Sequence, residues 1–270
     1  MSGVKVRVFT GVSVGALVLI AIWLLPPPVT VAIISLAVLM GAWEWSAFFN
    51  GRNVALRLGY VGLIAVLALL GQRFTVMPGA FLTLLVCSLC WWLLALGWLL
   101  ALPQQRLHAA VVAAAGLATL LPAWIALVRI DLHWAHGPLW TLFILVLPFA
   151  ADTGAFFTGR RFGRVRLAPR VSPNKTWEGV SGGLVLALAV SLLWALWLGV
   201  PLLRFMGLTL IAASLSVVGD LTESLFKRHA GLKDSGRLFP GHGGVLDRID
   251  SVTAAAPVMA LGLMLLGQGT

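Results

Sequence analysis

A run of about 20 mostly apolar residues is long enough for a helix to cross a bilayer. This chain contains such runs one after another, over 6–25, 29–49, 54–70, 78–102, 109–129, 139–158, 180–199, 204–222 and 251–267. In hydrocarbon every backbone N–H and C=O has to be satisfied within its own segment, which leaves the helix as the form for apolar runs of this length. The expected fold is therefore all-α, a polytopic membrane protein with about nine transmembrane helices. Hydrophobic residues make up 60% of the chain, above the ~45–50% of soluble domains. The first run follows Lys5 and Arg7 as a signal peptide would. It ends in Pro26, Pro27 and Pro28 rather than a small-residue cleavage site, and reads as a retained span.

The net charge of +10 raises nucleic acid as a partner, and the order of the spans removes it. With the N-terminus in the cytoplasm, every Lys and Arg except Arg73, Arg129 and Arg204 falls on or near the inner side, the bias that orients membrane proteins. No nucleic-acid partner is needed, and the C-terminus lies outside. Trp23, Trp134 and Trp140 near one side, and Trp45, Trp98 and Trp177 near the other, are placed as an interfacial belt would be. Cys87 and Cys90 sit inside one apolar run and read as buried thiols, not as a disulfide or metal site. Residues 1–138 form an N-terminal set of helices. Residues 139–270 form a catalytic region whose two long polar connections, 159–179 and 223–250, emerge on the same side.

Charge in so apolar a chain concentrates in residues 214–251. Asp220, Glu223, Ser224 and Lys227 recur at three- and four-residue steps, so a continued helix would put them on one face. Pro240, Gly241, Gly243 and Gly244 break that helix and permit a tight turn. Asp247 and Asp250, three apart, then face together once a helix resumes. Hard carboxylate oxygens suit Mg²⁺, which binds through one or two carboxylates while keeping waters and substrate phosphates. Lys227, Arg228, Lys233, Arg237 and Arg248 suit the phosphates themselves.

A second region precedes it. Asp152 lies inside the sixth run, where an uncompensated acid costs ~2.5–3.5 kcal/mol or more and usually faces a cavity. Ser172, Pro173 and Asn174 read as a turn, Thr176 as the cap of the next helix, and Lys175 as a cation at that helix's positive end. The arginines from Arg160 to Arg170 suit topology or anionic headgroups. The chain has no GxxxxGK loop, GxSxG elbow or HExxH pair, and His242 has no second histidine at ligand spacing.

Taken together, Ser224-x-x-Lys227-Arg228-x4-Lys233-Asp234-x-Gly236-x-x-Phe239-Pro240-x-His242-Gly243-Gly244-x-x-Asp247-Arg248-x-Asp250 resembles the C-terminal motif of the phosphatidate cytidylyltransferases, or CDP-diacylglycerol synthases. Asp152-Thr153-Gly154-Ala155, Gly159-Arg160 and Ser172-Pro173-Asn174-Lys175-Thr176-x-Glu178-Gly179 resemble that family's upstream motifs. The detailed likeness covers residues 145–255. It implies transfer of a cytidylyl group from CTP to phosphatidate, giving CDP-diacylglycerol and pyrophosphate, with Mg²⁺ and room for a second cation. It implies Asp220 and Asp247 as metal ligands, with Asp250 and Lys227 beside them in a catalytic group. Asp152, Asn174, Lys175, Ser224, Arg228, Lys233, Arg237, His242, Gly243, Gly244 and Arg248 would bind substrate. A homodimer, a bacterial inner membrane and a site facing the cytoplasm complete the expectation. The alternatives are a relative acting on another lipid phosphate or alcohol, and a transporter with Asp152 and Asp220 on its pathway.

Overall fold

The computed structural model describes residues 20, 24–51, 53–101, 107–236, 238 and 243–268. Among these, eight helices are long and apolar enough to cross a membrane: α1 (Pro27–Asn50), α2 (Val54–Phe74), α3 (Ala80–Ala101), α4 (Ala109–His133), α5 (Gly137–Phe162), α6 (Trp177–Leu198), α7 (Leu202–His229) and α8 (Leu246–Leu265). Each matches an expected run. The run over 6–25 falls almost wholly outside the described residues.

Local chemistry fixes the helix ends. Pro27 opens α1 at a position whose N–H has no helical partner. The Asn53 side chain accepts from Leu56 N at 3.1 Å to cap α2, and Thr176 Oγ1 accepts from Gly179 N at 3.1 Å to cap α6, as expected. The last turn of α7 carries Lys227, Arg228 and His229 at the negative end of its dipole.

Helix α8 is the centre of the bundle. Of its most apolar window 67% is buried within the chain, against 17% for α2, and α1, α3, α4, α5 and α7 all contact it. Two close approaches set the packing around it. A Cβ at Gly219 on α7 would stand 2.7 Å from the carbonyl oxygen of Asp250 on α8, so glycine there lets the helices meet beside the acids. On the seam of α5 with α6, a Cβ at Gly183 would stand 2.5 Å from Ala151 O. Small residues are how helices approach closely in a membrane, where burial in lipid gives no hydrophobic drive to associate.

Several expectations change. Helix α5 runs on to Phe162, α7 to His229, and α8 starts at Leu246, so the polar connections shorten to 163–176 and 230–245. Hydropathy marks the apolar middle of a helix and does not register the polar turns at its ends. Residues 172–176 are not a turn but strand β2 (Ser172–Thr176), antiparallel to β1 (Arg166–Ala168), with Arg166 opposite Thr176 and Ala168 opposite Ser172. The Glu178 carboxylate secures this hairpin by accepting from Arg164 N and Val165 N at 3.1–3.2 Å. Cys87 and Cys90 are exposed on α3, so they are not buried thiols of the bundle. The tryptophan belt is largely absent: Trp45, Trp134 and Trp140 are core residues, Trp98 packs on Phe226, and Trp177 alone of the described five is exposed. Trp45 stays inside because its Nε1 donates to Val112 O at 2.8 Å and its ring stacks on Phe48 and Phe226.

The α5–α6 seam yields a test. Gly183→Ala is expected to lower the thermal midpoint in detergent by several degrees. Gly207→Ala, where a Cβ meets nothing within 4 Å, should leave it unchanged or raise it, since glycine costs a helix about 1 kcal/mol relative to alanine. Equal midpoints for the two variants would contradict this packing.

Candidate active site

Four chain segments meet at one end of the bundle, and charge holds them together. From β2, Lys175 Nζ is ion-paired with Asp220 on α7. About two helical turns along α7, Lys227 Nζ lies 2.5 Å from Glu223 Oε2 and 2.5 Å from Asp247 Oδ1 on α8. The predicted face of α7 is thus real: Ser224 Oγ also reaches Asp220 Oδ1 at 3.4 Å. Asp152 on α5 lies within electrostatic reach of Asp220, Lys175 and Arg248, and Asp250 within reach of Asp152, Asp220 and Glu223. Both polar connections therefore build one site, as the sequence suggested.

The electrostatics differ between the two lysines' surroundings. Lys175 sits on the hairpin, where burial works against its charge. Asp220, then Asp152, outweigh that and hold its ammonium above the ordinary lysine range. Lys227 is a buried residue with two acids already on it.

Asp247 is the most constrained carboxylate. Its Oδ2 accepts from Gly244 N at 2.7 Å, Ser235 Oγ at 2.8 Å and Ser235 N at 3.0 Å, while Lys227 holds Oδ1. The Gly244 amide, expected to face a ligand, is thereby committed to Asp247. Gly243 has φ +78°, the left-handed backbone that turns the chain into α8.

Of the remaining expected residues, Arg228 is exposed and ties the two connections together, its Nε on Val171 O and Nη1 on Leu232 O, both at 3.4 Å. Asn174, Lys233 and Arg248 are exposed. Arg237 and His242 lie outside the described residues. Two acids of the site were given no role from sequence. Glu223 is 2% exposed and sits on the face already read as functional. Glu44 on α1 is buried and accepts from Ser235 Oγ, Val245 N and Leu246 N at 2.7–3.0 Å. The signal for it was available: it is an acid inside an apolar run, the argument that singled out Asp152.

The donor set bears on Mg²⁺. Among the described residues no three acid, His or Cys side chains come together as a closed metal cage. Mg²⁺ does not require one, since waters and phosphates complete its shell. Glu223 Oε1 is buried with no hydrogen-bond donor, and Asp152 and Asp250 add acids beside the paired Asp220. A site with a buried carboxylate oxygen lacking a donor fits a hard cation.

The profile of the cytidylyltransferase family matches residues 5–266 of the chain. A protein of Pseudomonas aeruginosa named phosphatidate cytidylyltransferase is 40% identical over 98% of this chain and 98% of its own length. A Haemophilus influenzae protein of the same name is 36% identical, covering 94% of this chain and 96% of the relative. A Bacillus subtilis protein, also so named, is 40% identical over 46% of this chain.

Coupling across the hairpin can be measured. In reversible unfolding in mixed detergent, Lys175→Met and Asp220→Asn should each destabilise the protein, with an interaction of about 1–2 kcal/mol between them in the double variant. Additive losses would contradict the pairing. Because Lys175 titrates above its ordinary range, its contribution is whole below about pH 10 and is lost only as pH rises through the folded value.

Proposed function

This chain belongs to the cytidylyltransferase family, and from that premise we propose that it transfers a cytidylyl group from CTP to phosphatidate, giving CDP-diacylglycerol and pyrophosphate for phospholipid biosynthesis. One observation carries the reading. At one end of a membrane-spanning bundle, Lys175 and Arg248 stand among Asp152, Asp220 and Asp250, phosphate-binding cations beside hard oxygen ligands. That is the chemistry a nucleoside triphosphate and a lipid phosphate both need.

The reaction asks little of a general base. A phosphomonoester has its second pKa near 6, so the phosphatidate oxygen is largely ionised at neutral pH and attacks the α-phosphorus directly. The protein's task is to bring two polyanions together in line and to offset their charge. Lys175, Lys233 and Arg248 serve the phosphates as exposed or half-exposed cations, with Arg237, His242 and Asn174 as further contacts. Lys227 acts one layer in, holding Glu223 and Asp247 in register. Ser224, hydrogen-bonded to Asp220, orients that carboxylate. Asp220 and Asp247 are the proposed Mg²⁺ ligands, with Asp250 and Glu223 behind them. The bound cation would neutralise triphosphate charge and polarise the α-phosphoryl group. The proposed setting is a bacterial inner membrane with this site toward the cytoplasm, supported by the inward bias of Lys and Arg.

The test is pyrophosphate release from CTP by the purified protein. Release is expected only when phosphatidate and Mg²⁺ are both present, with Asp220→Asn lowering turnover by at least ~100-fold. Release that persists in EDTA would overturn the metal assignment. Release with an isoprenoid phosphate but not with phosphatidate would overturn the acceptor.

A further inference from the structure

The first helix contributes no residue to the charge cluster on α5, α7 and α8, yet it places a buried carboxylate directly behind that cluster. Glu44, 7% exposed, lies on α1 near its junction with α2. Its Oε1 accepts from Val245 N at 3.0 Å, and its Oε2 from Leu246 N at 2.7 Å and Ser235 Oγ at 2.9 Å. The first amides of a helix have no partner within it, and Val245 supplies no side-chain cap. Glu44 therefore caps α8 from another helix, with its negative charge at the positive end of the dipole.

The fit around it is tight. A Cβ at Gly236 would stand 2.2 Å from Glu44 Oε1, and one at Gly244 would stand 2.2 Å from Oε2. Backbone is thus drawn against the carboxylate at both Gly236 and Gly244. Ser235 is the link onward. Its hydroxyl lies 2.9 Å from Glu44 Oε2 and 2.8 Å from Asp247 Oδ2, and its single proton serves one of them at a time. The backbone N–H of Ser235 serves Asp247 throughout, at 3.0 Å.

We infer that Glu44 is a positioning residue for cytidylyl transfer: by capping α8 and holding Ser235, it fixes the carboxylate of Asp247 and, through it, the ammonium of Lys227. The inference rests on the proposed reaction and on the participation of Asp247 in it. Glu44 itself touches no reacting atom. Its glutamine variant keeps the shape and turns an NH₂ group toward N–H and O–H donors that need an acceptor.

Three variants of the full-length protein decide it: Glu44→Gln, Ser235→Ala and Glu44→Gln combined with Asp247→Asn. Glu44→Gln is expected to cut kcat at least ~30-fold while the KM for phosphatidate stays within about 3-fold, since the loss lies in alignment and not in lipid binding. Ser235→Ala, which leaves the α8 cap in place, is expected to lower kcat about 5-fold with an unchanged thermal midpoint. In the Asp247→Asn background, Glu44→Gln should cost less than about 3-fold more, because the two act as a unit. Amide exchange over residues 243–250 should accelerate in Glu44→Gln, whatever the substrate. A Glu44→Gln enzyme within 3-fold of wild-type kcat, or losses that multiply in the double variant, would overturn the inference. If wild type itself releases no pyrophosphate, the proposed reaction fails instead. Unchanged amide exchange in Glu44→Gln would then overturn the cap independently.

Discussion

A lysine clamped between two acids, Lys227 with Glu223 and Asp247, is the interaction on which the working end of this protein depends. A bundle of apolar helices tolerates charge only where charge is answered, and one exposed to hydrocarbon would cost ~2.5–3.5 kcal/mol or more. The chain meets that condition by gathering its acids at the polar ends of α5, α7 and α8 and setting two lysines among them. Lys227 joins α7 to α8, and Lys175 joins the hairpin to α7. The charges that would otherwise drive the helices apart thereby fix their ends relative to one another.

Small residues make those distances reachable. Gly219 brings the backbone of α7 against Asp250 O, and the Gly183 seam brings α6 against α5 and so brings Lys175 near Asp152. Behind them, α1 closes the arrangement by capping α8 with Glu44. The N-terminal helices are thus more than a membrane anchor for the C-terminal motif. One of them holds the first turn of the helix that bears Asp247 and Asp250.

Much of this was legible in the sequence, for identifiable reasons. The eight described spans follow from hydropathy, because in lipid the backbone has almost no alternative to the helix. The shared face of Asp220, Glu223, Ser224 and Lys227 follows from helical periodicity, and the Thr176 cap from its hydroxyl before an apolar run. The hairpin was not legible, since Ser172-Pro173-Asn174 carries turn residues and the pairing is fixed by contact with Glu178 and α6. The role of Glu44 was hidden differently. Two of its partners are backbone amides some 200 residues away, and an amide leaves no mark in a sequence. The buried tryptophans misled in the same way, because a ring placed near a span end by counting still turns inward when a carbonyl such as Val112 O lies within reach.

In the proposed reaction, nucleotide and lipid phosphate meet on one charged surface, where positioning and charge neutralisation suffice for phosphoryl chemistry. The central claim is that the group transferred is the nucleotide's α-phosphoryl with its cytidine. The most direct measurement supplies phosphatidate with CTP labelled in either the α- or the γ-phosphate and follows the label into the lipid phase. The account predicts lipid labelled from the α-position and none from the γ-position. Lipid labelled from the γ-position would make the enzyme a kinase and contradict the account.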